Sequence, residues 1–314
     1  MSKLKGLLLT EGMHGMLSQV EGLVNALGIK FTHQKVELNR FWKMIPPNFT
    51  PISKGVFKNF DVPDFDIIIS CGRKSVIPSI YLKKISKKKV YNIHIQDPKV
   101  SLDNFDFIIS PEHDGLIGNN VINTKGAIHY LTEKEINENK DYLKKIINED
   151  DRKILGFIIG GPTKYYEYST KNLKVIFSFL YNIIKQKNYR LVAIPSMRTP
   201  KNTINYAKEF FGDNHTIIEN IDKKAYLSVL ALSEYIVVTC DSTSMISESA
   251  LTGKPIYIAN IPPKKNDKRF QKFRNLFREL NITRNLGEQL EIWNYKKLDE
   301  TNRVAKIINE KINS

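Results

Sequence analysis

Short apolar runs alternate with amphipathic segments along the whole of this chain, and that alternation selects parallel α/β architecture. A strand covered on both faces reads as an unbroken hydrophobic run, whereas the crossover helix after it is apolar on one face only. In the first half strands are expected at Leu4–Thr10, Phe31–Glu37, Ile67–Ser70, Val90–Ile95, Phe105–Ser110 and Val121–Asn123, with helices at Leu17–Leu27, Val76–Ile85 and Glu133–Glu149. The pattern restarts with strands at Ile154–Ile159, Arg190–Ile194, Thr216–Ile218, Val237–Cys240 and Ile256–Ile258. Helices are expected there at Lys171–Gln186, Ile204–Phe211, Lys223–Ala231, Met245–Leu251, Lys268–Glu279 and Thr301–Ile312. A chain of 314 residues can form two domains that each bury a core. The charged stretch NEDDRK is the expected linker, giving domains 1–149 and 150–314, with the last helix free to cross back to the first.

Hydrophobic residues at 41% and aromatics at 10% describe a globular protein, and no apolar window has the length a membrane span needs. The first residues carry charge and glycine too early for a secretory signal. Two cysteines, Cys71 and Cys240, imply no disulfide framework, so a cytoplasmic protein is expected. The net charge of +15 suggests an acidic ligand or an anionic surface. It is spread over lysine-rich faces, and no zinc spacing, helix-turn-helix or RNA-binding aromatic pattern accompanies it, so nucleic acid is not expected.

Parallel sheets bind ligands beyond the carboxyl ends of their strands. Beyond the first strand, TEGMHGMLSQ offers His14, Gly15 and Gln19, though it is no Walker loop. Beyond the third, Gly72 lets the chain turn and Arg73 stands where it can meet an anion or a surface carboxylate. Asp97 follows the fourth strand, and Glu112, His113 and Asp114 follow the fifth. The carboxylates read equally as turn residues and as general bases, with His14 a further base. No metal is expected, because no second histidine stands at ligand spacing.

In the second half Gly160 and Gly161 are read as exposing backbone amides, while Thr163 and Lys164 add a hydroxyl and an ammonium. Ser196, Arg198 and Thr199 follow the next strand. Each loop alone is also an ordinary tight turn. The stretch YIVVTCDSTSMISESALTGKPIYI adds a buried strand, Asp241, Ser242, Thr243 and Ser244, then a helix beginning near Met245. These residues cap a helix, and they also point free N–H groups and a positive dipole end at a phosphate, with Glu248 one turn in for ribose hydroxyls. Together the loops favour a nucleotide-diphosphate site. The basic helix Lys268–Glu279 either packs Phe270, Phe273 and Phe277 on the second domain or grazes anionic lipid, with Arg269 and Arg274 able to line the cleft.

The ordered motifs ISCGRKSVIPS, IHIQDPKV, FDFIISPEHDGL, NVINTKGAIHYLTEKEI, GFIIGGPTKYY, PSMRTP, VTCDSTSMISESALTGKPIYI and WNYKKLDETNRVA resemble the bacterial branch of the mitochondrial fission (elongated mitochondria) family. The resemblance covers nearly the whole chain. More distantly it is similar to GT-B glycosyltransferases, which implies an α/β fold of two Rossmann-like domains with parallel sheets facing across a cleft. Ser247-Glu248 with Gly253 and Pro255 resembles the donor helix of the transferase that adds N-acetylglucosamine to lipid-linked peptidoglycan precursor. By that resemblance Glu248 binds ribose and Ser242 to Met245 the phosphates. Family members often place a histidine where this chain has Met16, which puts a histidine base from that loop in doubt.

The reading reached is a transferase moving sugar from a nucleotide donor, UDP-linked, to an unknown acceptor, with a lipid-linked one at a membrane face as one candidate. It holds the diphosphate through Gly160, Gly161, Arg198, Ser242 and Ser244 and uses Asp97, Glu112 or Asp114 as base, with no other cofactor. A non-catalytic scaffold of GT-B shape that recruits protein partners at a membrane is the alternative, and a UDP-sugar epimerase the third.

Overall fold

The structure is a computed structural model that describes residues 4–147 and 151–313. Two compact units divide the chain. The first holds residues up to Tyr130 together with Asp299 onward, and the second runs from Leu131 to Leu298.

The first unit is built from β1 (Lys5–Thr10), α1 (His14–Ala26), β2 (Lys30–Lys35), β3 (Ile67–Cys71), α2 (Val76–Ile85), β4 (Tyr91–Ile95), β5 (Phe107–Pro111) and β6 (Val121–Thr124). Its sheet has the order β2-β1-β3-β4-β5-β6, with every pair parallel. Successive strand residues point to opposite faces, and the core divides accordingly. Leu8, Ile67 and Ile69 pack toward α1, with Val20, Leu23 and Val24, while Leu7, Leu9 and Ile68 pack on the opposite side with Val76, Ile77 and Ile80 of α2. Each such side chain, fully removed from water, contributes about 1.5–3 kcal/mol.

In the second unit α3 (Glu133–Glu138) leads to β7 (Ile154–Ile159), α4 (Thr170–Lys187), β8 (Arg190–Pro195), α5 (Lys201–Phe211), β9 (Thr216–Ile217), α6 (Lys223–Leu232) and β10 (Ser233–Thr239). Then follow α7 (Thr243–Ala250), β11 (Ile256–Ala259), α8 (Lys268–Glu279) and β12 (Thr283–Asn285). The sheet runs β12-β11-β10-β7-β8-β9, again all parallel. Read from β9, this is the strand order of the dinucleotide-binding fold. Ser169 and Asp222 cap α4 and α6 by accepting the amides of Asn172 and Ala225. The final helix, α9 (Glu300–Asn313), belongs to the first unit and adds Val304, Ala305 and Ile308 to the α1 side of its core.

The expected α/β class with two Rossmann-like parallel sheets is the fold observed. Two details differ. The helix expected over Glu133–Glu149 stops at Glu138, where Asn139 caps it, and continues as a 3-10 segment at Lys140–Lys145. Its last residues and the first three of NEDDRK, 148–150, lie outside the described residues. Strand β12 escaped the sequence reading because its three residues are largely polar and pair only at the sheet edge. Among the described residues no helix is long and apolar enough to cross a membrane.

Candidate functional site

A ligand binds an open parallel sheet where the strand order reverses. In the second unit that point lies between β7 and β10, which are neighbours although their next strands lie on opposite sides. The loops that close over it hold most of the residues selected from the sequence.

Asp241 is their hub. Its side chain has no exposure at all, yet it accepts a charge-assisted bond from Arg198 Nη2 at 2.7 Å, the amide of Gly161 at 3.2 Å and the hydroxyl of Tyr168. Burial first, then the Asp241 carboxylate, push the Tyr168 phenol well above its ordinary range, so it remains a donor. Arg198 also donates to the Gly161 carbonyl at 2.9 Å, while 42% of its side chain stays exposed. Both glycines are required by close approach. A Cβ on Gly160 would lie 2.3 Å from Asp241 Oδ1, and one on Gly161 would lie 2.0 Å from the Arg198 carbonyl oxygen.

This geometry corrects the expected amide cradle. The Gly160 amide donates to Thr239 Oγ1 at 2.8 Å and that of Gly161 to Asp241, so both are spent inside the fold. Thr199 is likewise turned inward, its hydroxyl donating to the carbonyls of Ile159 and Gly160 and accepting the Ser196 amide at 2.8 Å. Thr163 accepts the amides of Tyr165 and Tyr166. Lys164 is exposed and lies 4.9 Å above the Tyr165 ring.

What remains directed outward is the guanidinium of Arg198 and the start of α7. Ser242 caps that helix by accepting the Met245 amide at 3.4 Å, so the capping role is real. Thr243 and Ser244, both partly exposed, supply the first amides of the helix, which have no acceptor within it. One turn on, Glu248 is partly buried and accepts the Tyr226 hydroxyl at 2.7 Å. Desolvation pushes its carboxyl up to about 7, against the opposing pull of that hydroxyl. Tyr168 and Tyr226 were missed from sequence, although the tyrosines of KYYEY just after the glycine turn were a readable signal. Arg274 is held by Asp267 at 2.9 Å and donates to the Tyr166 hydroxyl at 2.8 Å, while Phe273 and Phe277 are fully buried. Helix α8 therefore packs its phenylalanines inward and shows water a basic face.

In the first unit the order reverses between β1 and β3, and a Glu11–Lys74 ion pair of 2.5 Å joins the two loops there. Gly72 adopts φ +88°, and a Cβ there would lie 2.6 Å from Met16 Cε. Arg73 is exposed and donates to the carbonyls of Lys43 and Ile45. Gly15 and His14 are exposed, the latter edge-on to Tyr130, and Gln19 donates to the Gly15 carbonyl.

The candidate bases are already engaged. Burial would raise the Asp97 carboxyl, but the ammonium of Lys99 at 2.5 Å and the Lys99 amide at 2.9 Å outweigh it and hold the group below its ordinary value. Glu112 pairs with Lys125 at 2.7 Å, and Asp114 lies 3.6 Å from His113 Nε2.

Among proteins of known sequence, this chain is 29% identical to an uncharacterised protein of Rickettsia prowazekii, over 77% of this chain and 78% of that one. It is 23% identical to the mitochondrial fission protein ELM1 of Arabidopsis thaliana, over 76% of this chain but only 62% of the plant protein's length. Among solved structures, a UDP-GlcNAc 2-epimerase from Neisseria meningitidis bound to UDP-GlcNAc superposes with a TM-score of 0.53. That likeness covers 99% of this chain and all of the other at 12% identity, and it establishes the GT-B-like fold. The family model described as Mitochondrial fission ELM1 matches residues 14–312, and the chain belongs to that family.

Proposed function

We propose that the protein binds a nucleotide-diphosphate sugar, UDP-linked, at the carboxyl end of its second sheet. The observation that carries this reading is Arg198, half exposed, anchored to a buried carboxylate, and tied through Asp241 to the start of α7. A guanidinium beside a helix N-terminus suits a diphosphate, since both offer donors and positive charge without a metal. In this reading Glu248, which Tyr226 holds, takes the ribose hydroxyls. The fold shared with UDP-sugar enzymes supports the same ligand class.

In the transfer reaction the bond from the sugar to the diphosphate breaks as an acceptor hydroxyl adds to the anomeric carbon. The negative charge growing on the departing diphosphate is met by Arg198 and the α7 dipole. The acceptor proton passes to a base of the first unit, for which Asp97, Glu112, Asp114 and His14 are the candidates. One observation favours a second reading, binding without transfer. Asp97 is held below its ordinary value by Lys99, which weakens it as a base, and Glu112 is tied up in an ion pair with Lys125.

Calorimetric titration with UDP, GDP, CDP, ADP and their sugar conjugates tests the ligand class. Occupancy at a hundred times Kd raises stability by about 2.7 kcal/mol, readable as a melting shift. Ser244→Asp suits α7 electrostatically but repels an incoming diphosphate. It is expected to keep or raise the melting temperature while weakening nucleotide binding by about tenfold or more. Silence from every nucleotide at millimolar concentration would sink the proposal. Binding without sugar consumption, with or without acceptor, selects the scaffold, and conversion of UDP-N-acetylglucosamine without acceptor selects the epimerase.

A further inference from the structure

A polar cavity lies in the same unit, between α8 and the strands β11 and β12, with a volume of about 220 Å³. Its wall carries three guanidinium groups, those of Arg274, Arg278 and Arg284, together with Asn260, Asn275 and Asn285. Two of the amide acceptors there are engaged within the wall. Asn275 Oδ1 takes a bond from Arg278, and Asn285 Oδ1 takes one from Asn260 at 2.9 Å. Asp267 is buried and saturated by Arg274, Gln271 and the Tyr166 hydroxyl.

The three arginines differ in a way that matters. Arg274 is neutralised by Asp267 inside the fold. Arg278 has no carboxylate partner among the described residues; its one bond is to a neutral amide. Arg284 lies with its guanidinium 4.3 Å from the centre of the Trp293 ring and pairs with Glu291, whose side chain is two-thirds exposed. An exposed carboxylate on a flexible stem is easily displaced, because solvent screens such a pair and side-chain freedom opposes it.

We propose that this cavity is an anion site for a small soluble compound bearing a phosphate group. The compound is held by Arg278 and Arg284, and Glu291 occupies Arg284 until it enters. Paired guanidinium forks match the geometry of phosphate oxygens, and a wall that carries three guanidinium groups repels a cation. Its wall shares no residue with Arg198 and α7, although Arg274 reaches the Cys240 carbonyl beside Asp241 at 3.4 Å.

The test uses the fluorescence of Trp293, with Trp42→Phe as background to silence the other tryptophan. Inorganic phosphate and pyrophosphate are titrated against sodium chloride at matched ionic strength. A saturable change is expected with either phosphate and none with chloride. Arg278→Gln, an exposed substitution, should weaken binding about tenfold by removing one charge-assisted partner. Glu291→Gln should strengthen it several-fold by freeing Arg284, a sign that simple loss of structure cannot produce. Ser244→Asp should leave the titration unchanged. A response equal in Arg278→Gln, no response to either phosphate, or a response only to vesicles containing phosphatidic acid would overturn the proposal.

Discussion

Asp241 ties two loops of the second unit together, because Gly161 and Tyr168 of the β7–α4 loop and Arg198 of the β8–α5 loop all donate to one buried carboxylate. Asp241→Ala strands the buried Tyr168 hydroxyl and frees the half-exposed Arg198 to water, and a loss of about 1–3 kcal/mol is expected. Chemical denaturation of the purified variant measures it; a loss below 1 kcal/mol would mean that solvent replaces the carboxylate. Glu248 makes a pH prediction. Its carboxyl titrates near 7 in the folded protein and near 4.5 unfolded, so above 4.5 the unfolded chain releases the proton more readily. The Glu248 contribution to stability therefore falls as pH rises from about 4.5 to 7 and is flat beyond. Glu248→Gln should remove that slope, and melting temperatures of both proteins at pH 5, 6, 7 and 8 check it.

Among the elements, α9 shows how a helix is secured in the first unit. Thr301 Oγ1 accepts the His129 amide at 3.0 Å and donates to the His129 carbonyl at 2.9 Å, while Glu300 accepts the Lys125 amide at 2.8 Å. Thr301→Val keeps the shape and removes both bonds from a buried backbone, at a cost of about 1–3 kcal/mol. Urea unfolding followed by Trp42, which lies in the first unit, reads the effect. Elements of this kind were legible where hydrophobic runs are long: the bounds of α2, β7 and α8 follow directly from periodicity. The helix expected beyond Glu138 was not, because the polar run NENKD at 137–141 carries no apolar stripe to anchor another α-turn. The site was legible in part for a related reason. Arg198, Asp241 and Ser242 announce themselves by type and place after a strand, whereas the inward turn of the Gly160 and Gly161 amides depends on Thr239 and Asp241, far away in sequence. The same holds for the ion pairs that occupy Asp97 and Glu112, since any of several lysines satisfies a sequence reading equally.

For the molecule as a whole, each unit carries its own six-stranded sheet and its own core. The segment Leu131–Leu298, expressed alone, is expected to unfold cooperatively and to retain whatever nucleotide affinity the full chain shows; a broad, non-cooperative melt would count against an independent core. Residues up to Tyr130 alone should fail the same test, since Val304, Ala305 and Ile308 then leave the α1 side of the core uncovered. The placement of α9 also sets a timetable. On the ribosome the first sheet emerges first, yet its covering helix is translated only after the entire second unit. The earlier-made half must therefore wait with an apolar face open while its successor matures, which makes that interval the period in which this chain most needs a chaperone.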